Sequence, residues 1–157
     1  MHDRATARTP YIAVVGPGEA SAPELALAEE LGARLGDAGA VVVTGGLGGV
    51  MEAACRGARS RRATTLGILP GSDRTEANGW VEIAVATGLG ELRNALVVRA
   101  ADVVVAIGGG LGTLSEVALA LKLGRRVIGL GTFDVHDVEQ VSTPEDAVAA
   151  ALRIAAA

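Results

Sequence analysis

Glu116 closes the run IGGGLGTLSE over residues 107–116, in which Gly108, Gly109, Gly110 and Gly112 precede Thr113 and the carboxylate. Glycines this dense let the backbone turn sharply and approach a ligand closely, because no Cβ intervenes. From Thr113 onward Leu114, Val117, Ala118, Leu121 and Leu123 recur near helical spacing, so the glycines feed a helix N-terminus. The free N–H groups of a first helical turn and the positive end of the helix dipole both favour an anion. A phosphate is therefore expected at Gly109 to Thr113. Glu116 itself has two readings: Thr113-Leu114-Ser115-Glu116 is a capping-box pattern, and a carboxylate beside a phosphate site can also do acid–base chemistry.

Two further glycine clusters precede this one. Gly16-Pro17-Gly18 follows the apolar run Tyr11 to Val15, and Gly45, Gly46, Gly48 and Gly49 follow Ala40 to Thr44. Glu52 stands in the first turn of the helix expected from about Val50 to Arg59, where it complements the dipole or joins the site. A dinucleotide fingerprint needs a third glycine in register after Gly18 and an acid at the end of the next strand. The chain has neither, since that strand ends in Thr44. A Gly-Lys-Ser/Thr tripeptide is also missing, which argues against triphosphate hydrolysis and for a small phosphate ester such as a nucleoside monophosphate. Arg93 lies just ahead of the strand that carries the Gly108 loop, close to the same edge.

These residues need a scaffold that brings three loops to one edge. Val103 to Ile107 is apolar without alternation, as suits a strand covered on both faces. Further strands are expected at Tyr11–Val15, Ala40–Thr44, Thr64–Leu69, Val81–Ala86, Val127–Leu130 and Val138–Val141. Helices are expected between them: one capped by Ser21 and ended by Gly36 and Gly39, one over Glu91–Ala100, and a last one opened by Thr143-Pro144-Glu145-Asp146. Strands alternating with helices imply right-handed βαβ units. The fold class expected is α/β, a single doubly wound Rossmann-like domain with a mostly parallel sheet and helices on both faces. Residues 1–10, polar and ending in Pro10, read as a flexible tail, and 11–157 as one domain. In such sheets ligands bind beyond the carboxyl ends of the strands, where the Gly16, Gly45 and Gly108 loops would open together.

Composition narrows the partners. Eighteen acidic residues against 14 basic ones give a net charge of -4, which provides no general attraction to nucleic acid or to an anionic membrane. The basic run Arg56, Arg59, Arg61, Arg62 sits at a helix C-terminus, where cations are favourable in any case. Cys55 is alone, and His2 and His136 are far apart, so neither a disulfide frame nor a metal-ligand spacing is present. No apolar run reaches about 18 residues without a charge. A cytoplasmic protein with no metal and no resident cofactor is expected. Only Tyr11, Trp80 and Phe133 are aromatic; Trp80, at the end of a polar loop, could stack on a base or be buried against the sheet.

Three segments in order, TGGLGGVMEAA at 44–54, LRN at 92–94 and IGGGLGTLSE at 107–116, resemble the Lonely Guy family, which shares its fold with the DNA-processing protein A family. The resemblance spans nearly the whole chain from Tyr11, and is greatest to small bacterial members that also resemble molybdenum cofactor carrier proteins. It implies cleavage of the N-glycosidic bond of a nucleoside 5′-monophosphate, with Arg93 and Glu116 as the catalytic pair. The alternative it implies is a carrier that holds a pterin phosphate, the molybdenum cofactor, without chemistry. It also implies a homodimer or homotetramer. Two positions depart from the family pattern: Ile107 replaces the Pro before the glycines, and Gly90-Glu91-Leu92-Arg93-Asn94 replaces M-H-E-R-K.

Overall fold

In the computed structural model, which describes residues 7–157, seven strands form one parallel sheet. They are β1 (Tyr11–Val15), β2 (Val41–Thr44), β3 (Thr65–Leu69), β4 (Ile83–Ala86), β5 (Val103–Ile107), β6 (Arg126–Leu130) and β7 (Val138–Val141), in the spatial order β4-β3-β2-β1-β5-β6-β7. The chain builds outward from β1 to β4, then returns to lay β5 against the free side of β1, with Val14 opposite Val105. The order reverses there. Loops leaving the carboxyl ends of β1 and β5 consequently diverge and leave a crevice between them.

Strand alternation assigns each side chain to a layer. Ile12, Val14, Val103, Val105 and Ile107 pack with α1 (Ala22–Asp37), α2 (Val50–Ser60) and α5 (Pro144–Ala155). Ala13, Val15, Val104 and Ala106 face the other way, onto Val97 and Val98 of α3 (Asn94–Ala100) and Val117 and Ala120 of α4 (Leu111–Lys122). Each buried Val, Leu or Ile contributes about 1.5–3 kcal/mol relative to exposure, so the two layers fix the sheet between them. The doubly wound α/β class expected from the sequence is the one found. On the first layer α1 and α2 cross closely, because a Cβ on Gly32 would run into the Ala54 carbonyl and one on Gly57 into that of Glu29.

The expected caps form at two helices. Ser21 Oγ accepts from the Glu24 N–H at 3.3 Å, and Thr143 Oγ1 accepts from the Asp146 N–H at 3.1 Å. Several strand ends shift by one or two residues, and three helix boundaries differ for a local reason. Gly36 lies inside α1, where its missing Cβ makes room for Arg61, and the chain turns at Gly39 instead. The helix expected over Glu91–Ala100 is a 3-10 turn at Gly90–Arg93 followed by α3, a turn that points Leu92 into solvent at 74% exposure. α4 begins at Leu111 rather than Thr113. Of the tail expected over 1–10, residues 1–6 lie outside the described residues, while the Pro10 carbonyl accepts from the Val41 N–H at 2.9 Å. Among the described residues no helix is long and apolar enough to cross a membrane.

Among the described residues several large apolar side chains stay exposed on two segments. Ile83 and Val85 of the edge strand β4 are 50% and 44% exposed, and Leu89, Leu92 and Leu96 are exposed on the chain leading into and along α3.

Candidate functional site

The crevice at the β1/β5 switch is a cleft of about 300 Å³ lined by Val15, Gly16, Pro17, Gly18, Met51, Arg93, Gly110, Gly112, Thr113 and Glu116. Its floor is the start of α4. Gly110 is the N-cap residue and offers no side chain, so no side chain caps the N–H groups of the first turn. Thr113, in that turn, is 2% exposed, and its Oγ1 has no hydrogen-bond partner. A hydroxyl buried without a partner costs about 1–3 kcal/mol, and here it borders a polar cleft at the positive end of a helix. That combination suits an anion with several oxygen acceptors.

Arg93 enters from the opposite wall. It is only 9% exposed and is fastened to the protein: Nε donates to the Ile68 carbonyl at 3.0 Å, Nη2 to the Gly45 carbonyl at 3.4 Å, and Nη1 to Asn94 Oδ1. The guanidinium thereby joins the ends of β2 and β3. Burial lowers its pKa, while the carboxylates of Glu116 and Glu91 raise it. Three of its five N–H groups are held by carbonyl oxygens, so it brings to the cleft a positive charge fixed in place.

Glu116 projects from α4 into the same cleft. It is half-buried, and among the described residues no cation lies within ion-pair distance of its carboxylate and no donor is bonded to it. Burial pushes the Glu116 carboxyl up to about 7, against the pull of Arg93. The capping-box reading does not survive: because α4 starts at Leu111, Thr113 and Glu116 are the third and sixth helical residues, and neither caps it. Ser115 Oγ instead donates to the Gly112 carbonyl at 2.8 Å.

Gly16, Gly110, Gly112, Thr113, Arg93 and Glu116 thus meet in the cleft, while the other sequence candidates lie around it. A Cβ on Gly16 would come 2.6 Å from Val50 Cγ1 and 2.8 Å from the Ile107 carbonyl, so glycine lets the chain leave β1 tight against the start of α2 and the end of β5. Gly108 sits beside the Glu24 carboxylate and Gly109 beside the Phe133 ring. Gly45 makes room for the Arg93 guanidinium, and Gly46 packs on Leu69. Gly48 and Gly49 carry the loop past the carbonyls of Pro17 and Gly18. Gly49 and Glu52 line a neighbouring pocket of about 320 Å³ with Gly18, Glu19, Ala20, Leu25 and Arg56. Gly18 belongs to both walls, so the two spaces adjoin.

Asn78 was not singled out by its sequence. Its Nδ2 donates to the Leu47 carbonyl at 2.8 Å and the Gly46 carbonyl at 3.3 Å, while Thr44 Oγ1 accepts from the Gly46 N–H at 3.1 Å. Together they hold the second glycine loop. Met51 and Pro17 were also missed as lining residues, being apolar side chains with no chemistry of their own to mark them. Trp80 is 42% exposed and does not line the cleft; His136 is exposed beside Asp137.

The family model of the SLOG cluster4 family matches residues 9–157. The chain belongs to that family. The motifs at 44–54, 92–94 and 107–116 pointed to the same grouping. Among solved structures, the molybdenum cofactor binding protein of Rippkaea orientalis is 42% identical and superposes with a TM-score of 0.89, covering 94% of this chain and 98% of that one. The molybdenum cofactor carrier protein of Chlamydomonas reinhardtii is 36% identical, with a TM-score of 0.88 over 96% of this chain and 100% of its own. DNA processing protein A from Helicobacter pylori, at 19% identity and a TM-score of 0.71 over 92% of this SLOG chain and 81% of its own, shares the fold.

Proposed function

We propose that this protein binds a phosphate-bearing small molecule in the β1/β5 cleft, and that a pterin phosphate of the molybdenum cofactor type is its cargo. One observation carries the reading: the partnerless Thr113 hydroxyl stands in an uncapped helix turn at the cleft wall. The likeness to two proteins that bind or carry molybdenum cofactor supports the cargo class. A phosphate would accept from the N–H groups at the start of α4 and from Thr113, with Arg93 supplying positive charge. The ring system would extend past Gly18 into the adjoining pocket. Arg56, Arg59 and Arg61 are each paired with a carboxylate, Glu29, Glu82 and Asp37, which leaves little free positive charge for a nucleic acid. The test is retention of molybdenum cofactor through gel filtration under anaerobic conditions. Retention by the wild type and loss in Gly110→Val is expected; equal retention by both would sink the placement.

A second reading, hydrolysis of a nucleoside 5′-monophosphate, is favoured by Glu116 standing in the cleft opposite Arg93 with a pKa of about 7. Water would add to the anomeric carbon while the base leaves with a proton, and a carboxyl titrating near neutrality suits that transfer. Release of free base from AMP is the measurement, and Glu116→Gln should lower it by about 10². No release by the wild type leaves the carrier reading alone.

The same reading includes a homo-oligomer. The exposed apolar residues Ile83, Val85, Leu89, Leu92 and Leu96 are what a second copy would cover, and light scattering of the purified protein decides it.

A further inference from the structure

We infer that the cleft takes up one proton when it takes up its anion, and that the proton resides on Glu116 between the carboxyl and the ligand. This deepens the anion-binding reading above and rests on it. The geometry is a conflict of signs. The uncapped start of α4, the Thr113 hydroxyl and Arg93 all call for negative charge in the volume that Glu116 also borders.

Among the described residues no ion pair neutralises the carboxylate. Arg93 pulls on it but makes no ion pair with it, three of its five N–H groups being held by Ile68, Gly45 and Asn94. The β5 loop contributes only glycines. From α1 comes Glu24, whose carboxylate lies beside Gly108; the adjoining pocket holds Glu19 and Glu52, also of the wrong sign, and Arg56, whose charge is paired with Glu29. Glu91, which raises the pKa of Arg93, is a further negative charge. An anion entering beside an ionised Glu116 would meet a like charge in a poorly solvated space. Protonation removes the repulsion and turns an acceptor-only group into a donor, so the carboxyl gives its O–H to a ligand oxygen. Burial already holds the free carboxyl near neutrality, which makes the proton available at physiological pH. The consequence is a grip that loosens as pH rises, and a release step that needs no conformational change.

Sulfate is the probe, because it stays dianionic throughout and any proton taken up belongs to the protein. Its affinity is measured by calorimetry from about pH 6 to pH 9, in buffers of different ionisation enthalpy, for the wild type and for Glu116→Gln. Above about pH 7 the wild-type affinity should fall about tenfold per pH unit, with about one proton absorbed per sulfate. Glu116→Gln should bind with no such slope and match the wild type at the acid end. Wild-type binding that is independent of pH and buffer overturns the proton coupling while leaving the anion cleft intact, and so does an unchanged slope in Glu116→Gln. Absence of sulfate binding at every pH overturns the proton-coupled anion site, and together with no retention of molybdenum cofactor it overturns the anion-binding reading as well.

Discussion

Arg93 Nε donates to the Ile68 carbonyl at 3.0 Å, so the guanidinium is tied to the end of β3 and not to Glu116 across the cleft. A cation that lines a binding cleft is also a brace between two strand ends. Arg93→Ala would leave the Ile68 and Gly45 carbonyls without their charged donor, and each bond to a charged group contributes about 1.5–3 kcal/mol. We expect a loss of about 2–4 kcal/mol in urea denaturation, with Arg93→Lys recovering only part of it because an ammonium cannot span the same carbonyls. A denaturation midpoint equal to wild type in Arg93→Ala would show that the brace contributes nothing.

This double duty was hidden in the sequence for a physical reason. The apolar periods of β1, β5 and α4, and the glycines that end the strands, are local signals, and they suffice for the parallel sheet and for the edge on which the loops open. The partners of Arg93 are a carbonyl on β3 and another in the second glycine loop, and a carbonyl carries no residue signature. The same holds for Thr113: its type and spacing suggest a cap, and only the start of α4 at Leu111 turns its hydroxyl into a buried group with nothing to bond. Glu116 was legible as a candidate from its place after the glycines, but the choice between cap and cleft residue depends on those two helical positions.

Gly110 and Gly16 look alike in sequence and should behave in opposite ways. Gly110 has φ 165° and ψ 163°, extended backbone open to any residue, and the nearest atom to a Cβ there is Pro17 Cβ at 4.0 Å. Valine at 110 should therefore fold with a stability loss of about 1 kcal/mol or less, from the poorer N-cap, while its methyls occupy the anion volume. Alanine at 16 would press on Val50 and the Ile107 carbonyl and should cost about 1–3 kcal/mol. Thermal denaturation separates the two, and a Gly110→Val protein that unfolds as easily as Gly16→Ala would mean the cleft wall is not open at 110.

The ligand-free protein should become less stable as pH rises from about 4.5 to about 7 through Glu116 alone. Below its ordinary value of 4.5 the carboxyl is protonated in both folded and unfolded chains and costs nothing. Between the two values the unfolded chain releases its proton and the folded one keeps it, so folding carries an excess proton and stability declines with pH. Above about 7 both are ionised and the penalty is complete, on the order of 3 kcal/mol. Glu116→Gln should lose this decline, so the difference in melting temperature between variant and wild type widens across that interval. A constant difference would mean that burial does not displace the carboxyl.

Thr113→Val offers the sharpest separation of binding from folding. Valine has nearly the shape of threonine, and the position is buried at 2% exposure on the face of α4 that also buries Val117 and Ala120. In the free protein the hydroxyl has no partner, so removing it takes away an unmet desolvation cost and no bond. The variant should be as stable as wild type or more stable by up to about 1 kcal/mol, where most buried polar deletions destabilise. With an anion bound the balance reverses, because the hydroxyl then donates to a ligand oxygen and its net contribution is about 0.5–1.5 kcal/mol. Affinity for sulfate or a phosphate monoester should therefore fall by about three- to tenfold. Lower stability with unchanged affinity would mean that Thr113 serves the fold through a bond to water, and that the anion sits elsewhere along the glycine loop.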